Sequence, residues 1–149
     1  METNILLESY LWTLIDFDNF AWFQCVDLAR KFAFDIHNPI WTFSGSAYNW
    51  WDTWSPFSNT EWIREENTPD WIPKPWSIIF FDKTPKNPYW HVAIVESGDL
   101  NNITIIEQNA GKWLGTWTTW DRVKRATVWY TQKQNSKFWL WKCLGWYYL

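Results

Sequence analysis

The first third of the chain carries its apolar residues at helical spacing. From Ile5 to Ile15 the run I-L-L-E-S-Y-L-W-T-L-I interleaves apolar and polar positions in that period, which predicts a first helix over 5–15. From Cys25, C-V-D-L-A-R-K-F-A-F-D-I sets Val26, Leu28, Ala29, Phe32 and Ala33 on one broad face of a second helix, ended by Asn38-Pro39. Cys25 therefore stands at or near a helix N-terminus. Ser44 to Trp51 reads as a loop entering a short third helix.

The pattern then changes. Residues 55–76 hold Pro56, Pro69, Pro73 and Pro75, so an irregular connection is expected, with one short strand near Trp62 to Arg64. Beyond it come β-like runs at Ser77–Phe81, His91–Glu96, Ile103–Glu107, Ala126–Thr131 and Phe138–Leu144. Turn residues at Lys86-Asn87-Pro88, Gly98-Asp99 and Asn101-Asn102 punctuate them. Helices followed by a meander of strands give the α+β class, with N-terminal helices packed on an antiparallel β-sheet. The chain has 149 residues and neither an internal repeat nor a composition break, so one domain over 1–149 is expected.

Composition narrows the function classes. The net charge is -3 and the 13 Lys and Arg are spread along the chain, which gives no electrostatic case for nucleic acid. The small cluster Arg122, Lys124 and Arg125 reads as a solvated face. No apolar run approaches the roughly 18 residues of a membrane helix. The opening M-E-T-N-I-L-L-E-S-Y has no basic leader, so synthesis in the cytoplasm without a signal peptide is expected, and a monomer. Cys25 and Cys143 both read as thiols, Cys143 as a buried inert one.

Candidate chemistry gathers at three places. Asp16 to Asp27, D-F-D-N-F-A-W-F-Q-C-V-D, crowds three acids around Cys25. A helix N-terminus and a nearby imidazolium both stabilise a thiolate. His91, at the start of a strand, can supply the imidazolium. His37 lies at the far end of the cysteine's own helix, roughly 18 Å away at 1.5 Å per residue, which leaves His91 as the base. A base histidine needs a group that fixes its tautomer. Glu107 and Asn109 end the next strand on one face, and either could serve.

These residues carry a resemblance. Gln24-Cys25-Val26-Asp27-Leu28, Gly45-Ser46-Ala47, Pro75-Trp76-Ser77-Ile78-Ile79, Trp90-His91-Val92-Ala93-Ile94-Val95 and Glu107-Gln108-Asn109 together resemble the CHAP domain. That is the cysteine- and histidine-dependent amidohydrolase/peptidase family, with a papain-like fold, and the likeness covers about residues 14–147. It implies Cys25 as nucleophile, His91 as general base and then acid, Glu107 as orienting group and Asn109 as an auxiliary. Gln24 and the Cys25 backbone N–H would be the oxyanion donors.

The acids fit a cation. Three carboxylates beside a thiolate repel it unless something neutralises them, and calcium takes six to eight oxygen ligands. The arrangement resembles the calcium loop of phage-endolysin CHAP domains. By that likeness Asp16, Asp18 and Asp27 give carboxylates, and Phe20 and Trp22 give backbone carbonyls, to a structural Ca2+.

One number is abnormal: 17 Trp against 5 Gly, where an average chain of this length would have about 10 Gly. Trp22, Trp76 and Trp90 stand where the resemblance implies glycine, and Trp113, Trp117 and Trp120 lie in a loop that is commonly glycine-rich. Two readings stay open. The codons are UGA read as glycine by the source, or the rings form a real aromatic surface that stacks on sugars.

The function implied is a bacterial peptidoglycan hydrolase of the phage-endolysin kind, an amidase or endopeptidase working through a thioester. It would act at the wall after release, without membrane insertion. The rivals are a catalytically inactive wall- or glycan-binding domain with an aromatic surface, and an amidase of small peptide conjugates.

Overall fold

The computed structural model describes residues 3–20, 23–40, 45–53, 55–68, 70–83, 90–109, 122–129 and 142–149. Helices come first: α1 (Thr3–Tyr10), α2 (Cys25–Asp35) and α3 (Ala47–Thr53), then a 3₁₀ turn at Ser55–Phe57. Strands β1 (Ile63–Glu66), β2 (Ile78–Phe81), β3 (His91–Gly98), β4 (Asn102–Glu107), β5 (Lys124–Trp129) and β6 (Cys143–Tyr148) follow.

The ends of α2 show why it stops and starts where it does. Gln24 is extended (φ -96, ψ 162) as the N-cap, and the Asp27 carboxylate accepts its backbone N–H at 2.8 Å. An acid in the first turn suits the positive end of the helix dipole. At the other end His37 turns left-handed (φ 61). Its N–H reaches the Phe34 carbonyl and that of Asn38 reaches Ala33, both at 3.0 Å, which is a Schellman closure. Val26, Leu28, Ala29, Phe32 and Ala33 are all buried, as their spacing predicts.

Helix α1 is shorter than the expected 5–15. It stops at Tyr10, and Trp12 takes φ 66. The Trp12 N–H then donates to the Val123 carbonyl at 2.8 Å, and the Val123 N–H to Thr13 at 2.9 Å. Those strand-like bonds replace the helical ones that the periodicity suggested for 11–15.

All pairs in the six-stranded sheet are antiparallel, in the order β1-β6-β2-β3-β4-β5. Only β2 to β5 form the expected meander. The last described strand is Cys143–Tyr148, which runs past the expected end at Leu144, while 138–141 of the expected Phe138–Leu144 run lie outside the described residues. It returns to the interior of the sheet between β1 and β2. Gly145 makes this possible. A Cβ there would lie 2.2 Å from the Glu65 carbonyl oxygen and 2.6 Å from the Trp51 ring, at φ +154. Gly145→Ala is expected to cost about 3 kcal/mol and to lower Tm by about 10 °C, measured by thermal unfolding.

The pleat divides the core in two. Ile78, Phe80, Val92, Ile94 and Ile106 face the helices, where Leu7, Leu28, Phe32 and Ala33 meet them. On the opposite face Ile79, Phe81, Ala93, Val95, Ile103, Ile105, Cys143 and Trp146 form a second cluster. No described helix is long and apolar enough to cross a membrane.

Candidate active site

The odd-numbered residues of β3 and β4 belong to the second cluster, and the rows end in polar side chains. His91 opens the row of Ala93 and Val95, while Glu107 closes the row of Ile103 and Ile105. Continuing the Ile94–Ile106 register by one pair sets Glu107 opposite Ala93, diagonal to His91. Diagonal neighbours are within reach of long side chains, and the small Ala93 leaves the carboxylate room to lean over. His91 Nε2 and Glu107 Oε2 are 3.1 Å apart, with 1% and 4% of their side chains exposed. Phe81 stacks on the imidazole at 6.3 Å between ring centres.

The other side of the imidazole meets the thiol. Burial pulls the His91 pKa down, but hydrogen bonds to Cys25 and Glu107, together with their negative charges, overcome it. The balance raises the pKa from 6.5 to about 9. With Nε2 on Glu107, Nδ1 is the nitrogen left for the thiol. Cys25 is half-buried at the first position of α2, so its sulfur faces the helix dipole and an imidazolium together. Cys143 is free, buried, and far above the usual thiol range because of that burial.

Gln24 and Asn109 join the same site. Asn109 Nδ2 donates to Gln24 Oε1 at 3.1 Å, which ties the Gln24 side chain to the end of β4. Asn109 Oδ1 is buried with no partner among the described residues, and its backbone is left-handed (φ 59).

Gln108, whose role the sequence does not reveal, ties the parts together. It is fully buried. Its Oε1 accepts the Ile15 N–H at 2.8 Å, and its Nε2 donates to the Ile15 carbonyl at 2.7 Å and the Gln24 carbonyl at 2.8 Å. One amide thus anchors the start of the acidic loop, the turn before Cys25 and the end of β4.

The acids do converge. One carboxylate oxygen each from Asp16, Asp18 and Asp27 lies within 4.8 Å of the others, the one such group among the described residues. Asp16 Oδ1 is buried with no hydrogen-bond partner among the described residues, which fits a cation better than a solvated loop. Burial first, then the charges of Asp18 and Asp16, raise the Asp27 pKa to about 6 against its backbone hydrogen bonds from Gln24 and Phe17. Arg30, buried, pairs with Asp18. Its position three residues after Asp27 puts both on one side of α2, a signal the sequence reading did not use. Phe20 lies in the same loop, 69% exposed, and its N–H donates to Asp18 Oδ1 at 2.9 Å. Trp22, Trp113, Trp117 and Trp120 lie outside the described residues.

A cysteine at a helix start, a buried His–Glu pair across two strands, and an amide beside the thiol make one constellation. The CHAP domain family model matches residues 15–109. The chain belongs to the CHAP family. It is 28% identical to the endolysin PlyTW of Staphylococcus phage Twort, over 73% of this chain and 24% of that protein. Among solved structures, the endolysin LysIME-EF1 superimposes with TM-score 0.69 at 15% identity, covering 99% of this chain and 62% of that one. Ly7917 with the hydrolyzing product of MDP gives TM-score 0.55 at 21% identity over 99% and 62%. This CHAP chain thus spans less than two thirds of each of these three proteins. At these identities the two structures speak for the fold alone, α+β with helices on an antiparallel sheet.

The basic cluster is engaged within the domain. Arg125 pairs with Glu96 at 2.7 Å and with Glu8, and Arg122 donates to the Trp12 carbonyl at 2.9 Å.

Proposed function

We propose that this CHAP domain is a peptidoglycan hydrolase that cuts an amide bond through a cysteine thioester. The observation that carries the reading is Cys25 at the N-terminus of α2, joined to the fully buried His91–Glu107 pair. A thiolate–imidazolium pair held out of water serves acyl transfer and has no structural use that an apolar pair would not serve better.

The Cys25 sulfur attacks the amide carbonyl carbon. Negative charge develops on the carbonyl oxygen, where the Cys25 backbone N–H and Gln24 Nε2 are the donors. His91 gives its proton to the amine nitrogen, the C–N bond breaks, and the acyl group stays on sulfur. Water then adds to the thioester while His91 takes its proton. The C–S bond breaks, the acid product leaves, and the thiolate–imidazolium pair is restored. Glu107 holds the imidazole by Nε2 throughout, and Asn109 holds Gln24.

The substrate is bacterial peptidoglycan, cleaved either between N-acetylmuramic acid and L-alanine or within the stem or cross-bridge peptide. The relatives of this chain that are named endolysins support that choice. An inactive glycan binder is less well supported, because such a domain would not need an intact buried triad. Purified walls digested with the chain should release muropeptides with new amino termini and no new reducing sugars, read by mass spectrometry. New reducing ends would overturn amide cleavage.

Asp16, Asp18 and Asp27 would hold a structural Ca2+, with carbonyls from Phe20 and Trp22 completing its shell. The ion would neutralise the acids and fix the loop that presents Gln24 and Cys25. At a free calcium concentration of 100 Kd such a site contributes about 2.7 kcal/mol. Chelation should therefore lower Tm by about 5–10 °C and reduce activity, with recovery on adding calcium. Asp16→Asn should show the lowered Tm without chelator and respond little to calcium. A Tm indifferent to chelator and to Asp16→Asn would remove the site.

A further inference from the structure

The left-handed backbone positions sort the tryptophans into two kinds. Among the described residues seven non-glycine positions have positive φ: Trp12, Asn19, His37, Asn59, Trp76, Trp90 and Asn109. Asn and His are among the residue types enriched there, whereas a bulky side chain is an outlier. Every remaining case is tryptophan. Chance does not select one aromatic type three times while sparing every described Phe and Tyr, in a chain with 17 Trp and 5 Gly.

Local geometry at position 76 is specific. The Ser77 N–H donates to the Lys74 carbonyl at 3.1 Å, closing a four-residue turn with Pro75 second and Trp76 third at φ 70. Proline followed by positive φ is a type II turn, whose third position calls for glycine or asparagine. The Trp76 ring packs edge-on against Phe32 at 6.0 Å, yet its Nε1 is buried with no partner among the described residues. Trp12 repeats the motif: the Thr13 N–H bonds to the Tyr10 carbonyl at 3.1 Å, Trp12 is third at φ 66, and the residue is 73% exposed. Trp90, φ 62, immediately precedes the base His91 and packs edge-on against Tyr48 at 4.5 Å.

Other tryptophans behave as tryptophan. Trp62 is buried and donates from Nε1 to the Asn38 carbonyl at 2.9 Å. Trp51 lies under the Arg64 guanidinium at 3.7 Å and against Gly145, which has no Cβ because that ring is there. Neither has a positive φ.

We propose that positions 12, 76 and 90 are glycine in the protein its source makes, their codons being UGA read there as glycine. UGA is the one codon that different genetic codes assign to tryptophan or to glycine, so a single decoding difference explains all three positions. Glycine at 90 also removes the ring that packs edge-on against Tyr48, at the residue next to His91. The backbone argument does not rest on the hydrolase reading above.

The test has a genetic and a physical arm. The source gene should carry UGA at 12, 76 and 90 and UGG at 51 and 62; UGG at 76 and 90 would overturn the proposal. In the full chain, Trp76→Gly with Trp90→Gly should raise Tm by about 5–10 °C. The matching Trp76→Ala, Trp90→Ala pair should gain clearly less, because alanine also disfavours positive φ. Trp62→Gly should lower Tm. Equal gains from alanine and glycine, or a loss with glycine, would show that backbone conformation is not what these positions demand. Wall-digesting activity of the glycine pair is read separately. A higher Tm without activity would leave the glycine assignment standing and count against the hydrolase.

Discussion

Cys25→Ala is expected to abolish wall digestion, by about 10⁴-fold or more, while leaving the fold intact. The side chain is half-buried and packs against the helix-side cluster, so alanine keeps most of its contacts and Tm should move by only a few degrees. His91→Ala should cost about as much activity, since an unpaired thiol loses both its proton acceptor and the imidazolium that stabilises it. The diagnostic comparison is the double variant. Residues that act as one catalytic unit are strongly non-additive, so removing both should cost little more than removing either. Muropeptide release by the purified single and double variants checks this. Residual digestion by Cys25→Ala near the parent rate would exclude covalent catalysis at this sulfur, and multiplied losses in the double variant would separate the two roles.

How much of this was legible in the chain follows from what each feature depends on. Helix α2 carries its own signals: apolar spacing, an acid in the first turn, and Asn38-Pro39 after its end. Strands β2, β3 and β4 were found within about two residues because short apolar runs between turn residues mark them. The failures share a cause in tertiary contact. Residues 11–15 keep a helical period, yet Trp12 and Thr13 bond to Val123, a partner no local window contains. The last strand runs on through Gly145 to Tyr148, past the expected end at Leu144, because Gly145 is a close-approach position beside Glu65 and Trp51. The convergence of Asp16, Asp18 and Asp27 was readable from spacing and charge. The buried Arg30 against them, and the Gln108 amide that binds loop, turn and strand, were not, because their partners are set by the packed geometry.

Glu107→Gln should separate charge from shape at the base. The glutamine fills the same buried space and can still hydrogen-bond Nε2, but it removes one of the two acceptor charges that hold His91 at about 9. With burial still opposing the charged ring, the His91 pKa should fall by at least one unit. The sign of the linked stability follows. A histidine whose folded pKa is raised from 6.5 to about 9 contributes stability that is complete below 6.5 and disappears as pH rises through 9. The parent should thus exceed Glu107→Gln in Tm by several degrees near pH 6, with the gap closing above pH 9. Activity should track the same proton. The thiolate–imidazolium pair persists only while His91 stays protonated, so the alkaline limb of the kcat/KM profile should move to lower pH in the variant. The maximum should drop by roughly 10²–10⁴, the scale seen when an orienting carboxylate is replaced by its amide. Superimposable pH profiles for parent and variant, with a constant Tm gap from pH 6 to pH 10, would show that Glu107 supports the site by packing and leaves the charge of His91 to Cys25 alone.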